Sequence, residues 1–247
     1  MYREHEVFQK PQDENIKIWR FIDFTKFVSL LDTKSLYFNR ADLFEDMLEG
    51  TYPKPNVYSL GHSSVSEEMK NLMFQTYWVL EKYHVKSYYL NCWHVNEYES
   101  DAMWKLYTQG SQAVAIQSTF KKLTQSFEPD SPDVFVGLVK YIDYSKETIP
   151  VDNAFQPYLH KRISYAHERE LRAITMKQPE ESTPVAYERI TTRGQNLNVN
   201  LDTLIETIYV APRAPDWFKE LVKSMASKYS IQKPIESSSL DERPIFR

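Results

Sequence analysis

The hydrophobic positions at the start of the chain alternate with polar ones. Residues 16–22, with the sequence IKIWRFI, place three isoleucines on one face of a predicted strand. The same register puts Arg20 on the isoleucine face. A charge on an apolar face needs a strand end, an acidic partner or a bound anion. Arg20 is therefore a candidate anion-binding residue, unless it reaches past the end of the strand to solvent or to an acidic neighbour.

Helical spacing follows this strand. Apolar residues at positions 24, 27, 28 and 31 predict a short helix with Asp23 as its N-cap, and residues 36–39 predict a second strand. Further strands are predicted at 87–94, 113–116, 134–142, 168–176 and 204–210, with a final strand and tail at 231–247. Helices are predicted at 64–83, 101–107, 153–164 and from Pro215, the apolar stripe of 64–83 being assigned to the core.

These elements do not alternate regularly, so the pattern favours an α+β fold over a doubly wound sheet. We predict a single domain at 16–247, with a mixed or antiparallel β-sheet core and flanking helices. Residues 1–15 are polar and are predicted to be frayed. Loops are predicted at 51–64 and at 177–198, the second being a long loop or insertion.

The amino-acid composition argues against several classes of function. Five glycines in 247 residues leave no phosphate-binding glycine-rich loop. A net charge of −4 argues against broad nonspecific binding to nucleic acid or membranes. A single cysteine, Cys92, excludes an intrachain disulfide and a CxxC zinc site. Without an apolar run for export or for spanning a membrane, the protein is predicted to be cytoplasmic.

Paired acids open the strand predicted at 168–176. In a strand, Glu168 and Glu170 share a face and their carboxylates stand roughly 7 Å apart. Like charges at that distance raise each other's pKa, and such carboxylates suit acid, base or cation-stabilising chemistry. Taken alone, the stretch favours a solvated strand edge whose acids pair with neighbouring bases, namely Arg169, Arg172, Lys161 or Arg162.

Metal and serine-hydrolase chemistry have weak support. The histidines form no HExxH or HxH motif, and the chain has no GxSxG motif. We predict no metal site. A metal-dependent nuclease is kept as an alternative because the acids and the lysine that it needs are present, namely Asp143, Lys146, Glu168 and Glu170.

Several segments resemble the bacterial domain of unknown function 2971, DUF2971. They are IWRFIDF at 18–24, LYFNRADLFEDMLEG at 36–50, NCWHVNEYESDAMWKLY at 91–107, ERELR at 168–172 and YVAPRAPDWF at 209–218. The resemblance covers nearly the whole chain and implies no particular reaction. By association with bacterial mobile elements, it implies phage defence or a toxin, with a partner protein from the same defence operon.

The order of elements also resembles that of ADP-ribosyltransferases. That family has an Arg or His on its first strand, a polar residue on a middle strand and a Glu-x-Glu at the start of a late strand. Arg20 matches the first position and Glu168-Arg169-Glu170 the last. The middle position, often Ser or Thr, falls near Asn91 or Cys92, and there the sequence departs from the family.

This second resemblance implies an NAD-using enzyme that transfers ADP-ribose or hydrolyses NAD. Glu170 would stabilise an oxocarbenium-like state and hold a ribose hydroxyl, and Glu168 would orient or deprotonate the acceptor. Arg20 would bind the pyrophosphate. The remaining residues assigned to NAD are Tyr37 or Trp93, stacking on nicotinamide, with Arg40 and Asn91.

The acceptor is left open as a protein, a nucleic acid or water. A non-catalytic binding or sensor module is the first alternative, in which the same charged residues form a structural ion network. The two readings differ in whether Arg20 and Glu170 line an open pocket or meet in a closed, fully paired one.

Overall fold

The computed structural model describes residues 1–61 and 64–246 of the chain. The strands are β1 (Lys17–Asp23), β2 (Ser35–Arg40), β3 (Tyr88–Val95), β4 (Ala113–Thr119), β5 (Val134–Leu138), β6 (Lys140–Ile142), β7 (His160–Arg162), β8 (Glu170–Met176), β9 (Gly194–Asn198), β10 (Thr207–Val210) and β11 (Ile235–Ser237). The helices are α1 (Phe24–Thr33), α2 (Lys54–Gly61), α3 (Glu67–Lys82), α4 (Asp101–Tyr107), α5 (Phe120–Ser126), α6 (Pro184–Glu188), α7 (Leu201–Leu204) and α8 (Asp216–Lys228).

A mixed sheet forms the centre of the molecule. Its strands run in the order β11-β10-β4-β1-β3-β2-β9, with β8 paired to β3 and β5 paired to β8. These pairings are antiparallel except for the parallel pair of β10 and β11. A separate small sheet joins β6 and β7 in parallel. The fold is a single α+β domain with flanking helices, which confirms the prediction.

The two faces of β1 enter different parts of the core, as its alternating pattern predicts. Ile18 and Ile22 join the largest apolar cluster, to which α1, α5, α7 and α8 also contribute. Trp19 and Phe21 belong to a smaller cluster with Trp104 of α4. Burial of aliphatic side chains on one face and aromatic ones on the other therefore fixes the position of β1 in the sheet.

The sheet opens between β1 and β2, which pair with different ends of β3. β1 pairs with residues 94 and 95 of β3, whereas β2 pairs with residues 89 and 90. Residues 91–93 of β3 therefore border a gap between the two strands. Helix α1 connects β1 to β2, and its side chains line the cavity at this gap. Strand divergence of this kind creates a concave site within one domain.

The N-terminal segment, predicted to be frayed, lies along the edge strand β5. The Arg3 amide donates to the carbonyl of Val134 at 2.9 Å, and the Leu138 amide donates to that of Gln9 at 2.9 Å. Phe8 is buried against aromatic rings of a second cluster. The prediction was made from local polarity, and it is wrong because an unpaired strand edge and an aromatic pocket elsewhere in the chain hold the segment.

The predicted helix at 64–83 forms as α3, but its apolar stripe is not core. Met69 is 46% exposed and Leu72 is 56% exposed. The helix packs, through its last turns, against a small cluster made of Tyr52, Ile142, Tyr144 and Ile149. The stripe is exposed because α3 lies outside the main sheet, which its amphipathic pattern does not show.

Several boundaries also differ from the sequence prediction. The loop predicted at 51–64 contains α2, and residues 62 and 63 lie outside the described part of the chain. The helix predicted at 153–164 is a 3-10 turn followed by β7, and the strand predicted at 134–142 divides into β5 and β6. The loop predicted at 177–198 contains α6 and ends in β9, which pairs with β2. Short strands whose partners are distant in sequence account for most of these differences.

Within the described residues, every helix is too short or too polar to cross a membrane.

Candidate active site

A cavity of about 770 Å³ lies at the gap between β1 and β2. Its wall contains side chains from β1, α1, β2, β3 and α4, together with Glu168 and Glu170. Most of these side chains are apolar or aromatic, and a few polar groups converge among them. Ligand sites are typically roughly 300–1,000 Å³ in volume and have walls of this composition. The cavity is therefore the candidate site for a small-molecule substrate.

Arg20 lines this cavity from β1. Its Nη1 donates to the carbonyl of Cys92 at 2.8 Å, and its guanidinium carbon lies 6.0 Å from the ring centroid of Trp93. Among the described residues it forms no ion pair with a carboxylate, and burial lowers its pKa. Since a guanidinium carries five N–H donors, most of its hydrogen-bonding capacity remains for an anionic ligand.

Glu168 and Glu170 belong to a buried series of charged side chains that we term the ion chain: Glu168, Lys161, Glu170, Arg172 and Glu49. Lys161 Nζ donates to both Glu168 Oε2 and Glu170 Oε1. Arg172 donates through Nε to Glu170 Oε2 at 2.6 Å and through both Nη atoms to Glu49 at 2.6 and 2.9 Å. No member is more than 7% exposed. Three carboxylates and two cations leave one excess negative charge when all are ionised.

The ion chain corrects the interpretation of a solvated strand edge. The acids do pair with two of the four bases considered, Lys161 and Arg172, but they do so in the interior. Arg162 instead binds Asp46, with a shortest distance of 2.7 Å, and Arg169 Nη1 donates to Asn96 Oδ1 at 3.2 Å.

The backbone around the acids also differs from the predicted strand. Residues Ile163–Glu168 form a 3-10 helix, Arg169 has φ of 42°, and β8 begins at Glu170. This left-handed residue breaks the alternation that would place both acids on one strand face. The carboxylates of Glu168 and Glu170 nevertheless lie close together, because both bind the ammonium of Lys161.

The two acids differ in protonation. Burial raises the pKa of Glu168 to about 7, and the hydrogen bond and charge of Glu170 act in the same direction. Burial would also raise the pKa of Glu170, but Arg172 and Lys161 hold it well below its usual range. The predicted mutual rise is confirmed for Glu168 and wrong for Glu170. At neutral pH the pair combines a fixed carboxylate with a group that can take up or release a proton.

His94 and Tyr107, which were not assigned to the site from the sequence, border Glu168. His94 lies opposite Glu170 in the sheet, and its Nδ1 is 2.6 Å from the carbonyl oxygen of Glu168. Since a carbonyl only accepts, Nδ1 carries a proton, and burial lowers the pKa of the ring. Burial and the neighbouring Glu168 raise the pKa of the Tyr107 hydroxyl, and both residues line the cavity. Only the pairing of β3 with β8 could have identified His94.

Two of the aromatic residues assigned to NAD line the cavity. Tyr37 is 46% exposed and presents its ring from β2. Trp93 is 1% exposed, and its Nε1 donates to Asn91 Oδ1 at 2.7 Å. The exposed ring of Tyr37 is available for stacking on a ligand, whereas Trp93 supports Arg20.

Arg40 and Asn91 serve the fold, contrary to the prediction that they bind the dinucleotide. Arg40 is buried, pairs with Asp42 through two hydrogen bonds and donates to the carbonyls of Ile190 and Thr192, both at 2.8 Å. Asn91 Nδ2 donates to the carbonyl of Tyr37 at 2.9 Å. Neither residue belongs to the wall of the cavity. Their polar groups are used within the protein, so they offer a ligand nothing.

The segment between β2 and α2 contributes to both the cavity and the ion chain. Phe44 lines the cavity, and Glu49 binds Arg172. Gly50 follows with φ of 71°, where a Cβ would collide with the ring of Tyr158. A glycine at this position is the local signal in the sequence that the segment packs closely.

No group of three or more His, Cys, Asp or Glu side chains suited to a metal ion occurs within residues 1–61 and 64–246. Of the residues named for a nuclease, Glu168 and Glu170 bind Lys161, and Asp143 pairs with Lys146 at 3.2 Å.

Three solved structures of DarT from Thermus sp. 2.9 are similar to this chain. The complex with NAD+ has a TM-score of 0.44 and 10% identity, covering 94% of this chain and 100% of that chain. The complex with carba-NAD+ has a TM-score of 0.40 and 12% identity, covering 93% and 98%. The complex with ADP-ribosylated ssDNA has a TM-score of 0.42 and 11% identity, covering 94% and 98%.

No family model and no curated protein matches the chain. The resemblance to DUF2971 therefore stays a prediction. Similarity at TM-scores below 0.5 identifies neither a ligand nor a site, so the function has to be argued from the cavity itself.

Proposed function

We propose that the protein is an NAD-using, ADP-ribosyltransferase-like enzyme that cleaves the bond between nicotinamide and ribose. One observation carries the proposal: a guanidinium without an ion pair and two acids of unequal protonation line the same open cavity. Arg20 and Glu170 lie on the two strands that flank β3, so their backbones are roughly 10 Å apart. A dinucleotide can meet both, with its pyrophosphate at one and a ribose at the other.

Binding is assigned to Arg20 and Tyr37. The pyrophosphate supplies the anion that Arg20 lacks within the protein, through charge-assisted hydrogen bonds. The exposed ring of Tyr37 stacks on nicotinamide. The apolar wall excludes water from the reacting bond, which strengthens the electrostatic interactions in the site.

The chemistry is assigned to Glu170 and Glu168. When the bond from C1′ of ribose to the nicotinamide nitrogen breaks, its electron pair leaves with nicotinamide, and positive charge develops on the sugar. The fixed carboxylate of Glu170 stabilises that charge and holds a ribose hydroxyl through its remaining lone pairs. An acceptor hydroxyl or amine then bonds to C1′, and its proton passes to Glu168. With water as the acceptor, the products are nicotinamide, ADP-ribose and a proton.

The acceptor and the cellular context are part of the proposal. The acceptor is a protein, a nucleic acid or water, and the context is phage defence or a toxin acting with a partner protein from the same operon. Toxicity of the wild type on expression, absent in Glu170→Gln, is the expected result in that context. Equal growth of cells expressing either protein would contradict the toxin assignment.

A binding or sensor module is the second candidate. Both oxygens of Glu170 already contact cations, and the ion chain is buried, as expected of a structural network. Arg20, however, does not take part in that network and lines the open cavity. In this candidate the cavity binds its ligand without cleaving it.

Nicotinamide release from NAD by the purified protein tests the proposal. We expect release by the wild type and loss of about 100-fold or more in Glu170→Gln, because the charge opposite the developing cation is removed. Glu206→Gln, which alters a half-exposed acid paired with Lys122, is the matched control and should retain activity. A folded wild type that binds NAD without releasing nicotinamide would favour the binding module, and one that does not bind NAD would contradict both assignments of the ligand.

A further inference from the structure

Lys161 reaches the two acids from outside the sheet that carries Glu170. It lies on β7, whose partner is β6 in the small parallel sheet, and its register position is opposite Tyr141. The Tyr141 hydroxyl accepts a hydrogen bond from the Glu170 amide at 2.8 Å. The small sheet therefore contacts the start of β8 twice. The Tyr141 hydroxyl binds the backbone of Glu170, and the Lys161 ammonium lies between the carboxylates of Glu168 and Glu170.

The ammonium of Lys161 is fixed in this position. The residue is only 7% exposed. Nζ contacts Glu168 and Glu170 and lies 4.7 Å from the ring centroid of Tyr165, so its surroundings are occupied on three sides. A buried ammonium is tolerated only when its donors are paired. Removal of either acid would therefore leave Lys161 with an unsatisfied donor in the interior, which is unfavourable.

Cations are shared unequally along the ion chain. Glu170 contacts both Lys161 and Arg172, whereas within the described residues the ion pair of Glu168 is with Lys161 alone. The other donors of Arg172 are used by Glu49 and the carbonyl of Tyr158. Without Lys161, Glu170 would keep a cation and Glu168 would have none.

Few other charged groups face Glu168. The elements packed around it contribute Glu170 from β8, Tyr107 from α4 and the neutral ring of His94 from β3, which contacts its backbone carbonyl. Of these, Glu170 carries a negative charge and the other two carry none. Lys161 is therefore the cation that offsets both burial and the charge of Glu170.

We propose that Lys161 is a positioning residue that keeps Glu168 available as a base at the cavity while Arg172 keeps Glu170 a permanent anion. Lys161 does not belong to the cavity wall, so it acts through the two carboxylates. The inference rests on the proposed function for its catalytic meaning. Its physical content, the control of the proton on Glu168, is measurable without NAD.

The test is a titration followed by 13C NMR on protein labelled at the glutamate carboxyl carbons. The resonance of Glu168 is the one missing from Glu168→Gln. In the wild type we expect a midpoint at about 7. In Lys161→Met we expect it to rise by about one pH unit or more, because the cation that stabilises the charged form is removed while burial and the charge of Glu170 remain. Lys161→Arg, which keeps the charge, should return the midpoint toward the wild-type value.

Glu49→Gln is the matched control, because it removes a buried acid of the ion chain that does not touch Lys161, and it should leave the Glu168 midpoint in place. An unchanged midpoint in Lys161→Met overturns the inference, as does a wild-type Glu168 that titrates like an exposed carboxylate. If Lys161→Met does not fold, the double variant Lys161→Met/Glu168→Gln removes both charges together. We expect it to fold and to show no carboxyl titration near neutrality, and a remaining titration there would assign the proton elsewhere.

Nicotinamide release separates this inference from the proposed function. If both stand, the lower limb of the pH profile of release moves to higher pH in Lys161→Met by the same interval as the NMR midpoint. Absence of release in all variants, with the NMR shift present, would remove the enzyme assignment and leave the control of Glu168 by Lys161 intact.

Discussion

Arg20 lies on the aliphatic face of β1, and a backbone carbonyl is its hydrogen-bond acceptor within the described residues. Buried arginines commonly bind carboxylates through two parallel hydrogen bonds, as Arg172 binds Glu49 in the same protein. The contrast between these two arginines separates an arginine that maintains the structure from one that is available to a ligand.

Replacing Arg20 by Ala is therefore expected to impair binding more than folding. We predict a loss of NAD affinity of about tenfold or more, since a charge-assisted hydrogen bond contributes about 1.5–3 kcal/mol. Isothermal titration calorimetry measures the affinity. Arg169→Ala is the control, because Arg169 is exposed and is not part of the cavity wall. Equal affinities in the two variants would show that Arg20 does not bind the pyrophosphate.

Gly194 of β9 permits the position of the Tyr37 ring. A Cβ at residue 194 would overlap the end of that ring and would come within 2.5 Å of the Phe38 carbonyl oxygen. We predict that Gly194→Ala displaces Tyr37 and weakens NAD binding by several-fold, at roughly 1 kcal/mol for a lost stacking contact. A matching loss in Tyr37→Ala, with no further loss in the double variant, is the expected calorimetric result. Additive losses would place the effect of Gly194 elsewhere.

At this scale, five residues that were assigned to the site from the sequence line the cavity, namely Arg20, Tyr37, Trp93, Glu168 and Glu170. Arg20 and the two acids could be chosen because a charge on an apolar face and two close acids are visible locally, whereas their roles stay predictions. The sequence indicated Lys161 as one of four possible partners of the acids, and it missed Glu49, whose contact with Arg172 spans 123 positions of the chain. Arg40 was assigned to NAD binding because a cation near the predicted site looks like a ligand-binding residue. Its bonds to the carbonyls of Ile190 and Thr192 are visible only in the structure.

Among the secondary structure elements, β8 links the sheet to the ion chain. Arg172 on this strand is fully buried and makes four hydrogen bonds, to Glu49, Glu170 and the carbonyl of Tyr158. The arrangement joins β8 to the segment after β2 and to the turn before β7. Loss of Arg172 would leave two acids buried, one without any cation.

We predict that Arg172→Met lowers the free energy of unfolding by about 3–5 kcal/mol, the range for breaking a buried ion pair from one side. Urea denaturation measures this value. Lys105→Met is the comparison, because Lys105 pairs with Asp101 on the exposed surface of α4, and its loss should cost about 1 kcal/mol or less. Similar values for the two variants would mean that the ion chain contributes little to stability.

Periodicity predicted the strands and helices whose partners are close in sequence or whose apolar faces are complete, such as β1, α1 and β3. It failed for β7 and β9, which are short and have few apolar residues. It also failed for residues 1–15, because the edge of β5 that holds them lies more than 100 positions away. Pairing with distant residues determines the conformation of such segments, and the local hydrophobic pattern does not reveal that pairing.

For the molecule as a whole, the α+β class followed from the irregular order of elements, but the cavity did not. Its existence depends on β1 and β2 pairing with different ends of β3, a matter of register that a single sequence does not specify. Arg20 and Glu170 both line the cavity at that gap, from strands that pair with opposite edges of β3 near His94.

The raised pKa of Glu168 has a consequence for stability against pH. The folded protein binds the Glu168 proton more tightly than the unfolded chain does. The stabilisation of the fold that this proton provides is therefore fully present below the ordinary carboxyl pKa of 4.5 and is lost as the pH rises through about 7. We predict that the free energy of unfolding of Glu168→Gln minus that of the wild type increases by about 1–3 kcal/mol as the pH rises from 5 to 8, whatever its value at pH 5. Urea denaturation of both proteins across that range measures it, and parallel curves would contradict the assignment.

The position of NAD in a crystal of the Glu170→Gln protein tests the central claim most directly. The account predicts the pyrophosphate within hydrogen-bonding distance of the Arg20 guanidinium, nicotinamide against Tyr37, and the nicotinamide ribose beside residues 168 and 170. A dinucleotide bound outside the gap between β1 and β2, or bound there with Arg20 still directed only to the Cys92 carbonyl, would contradict it.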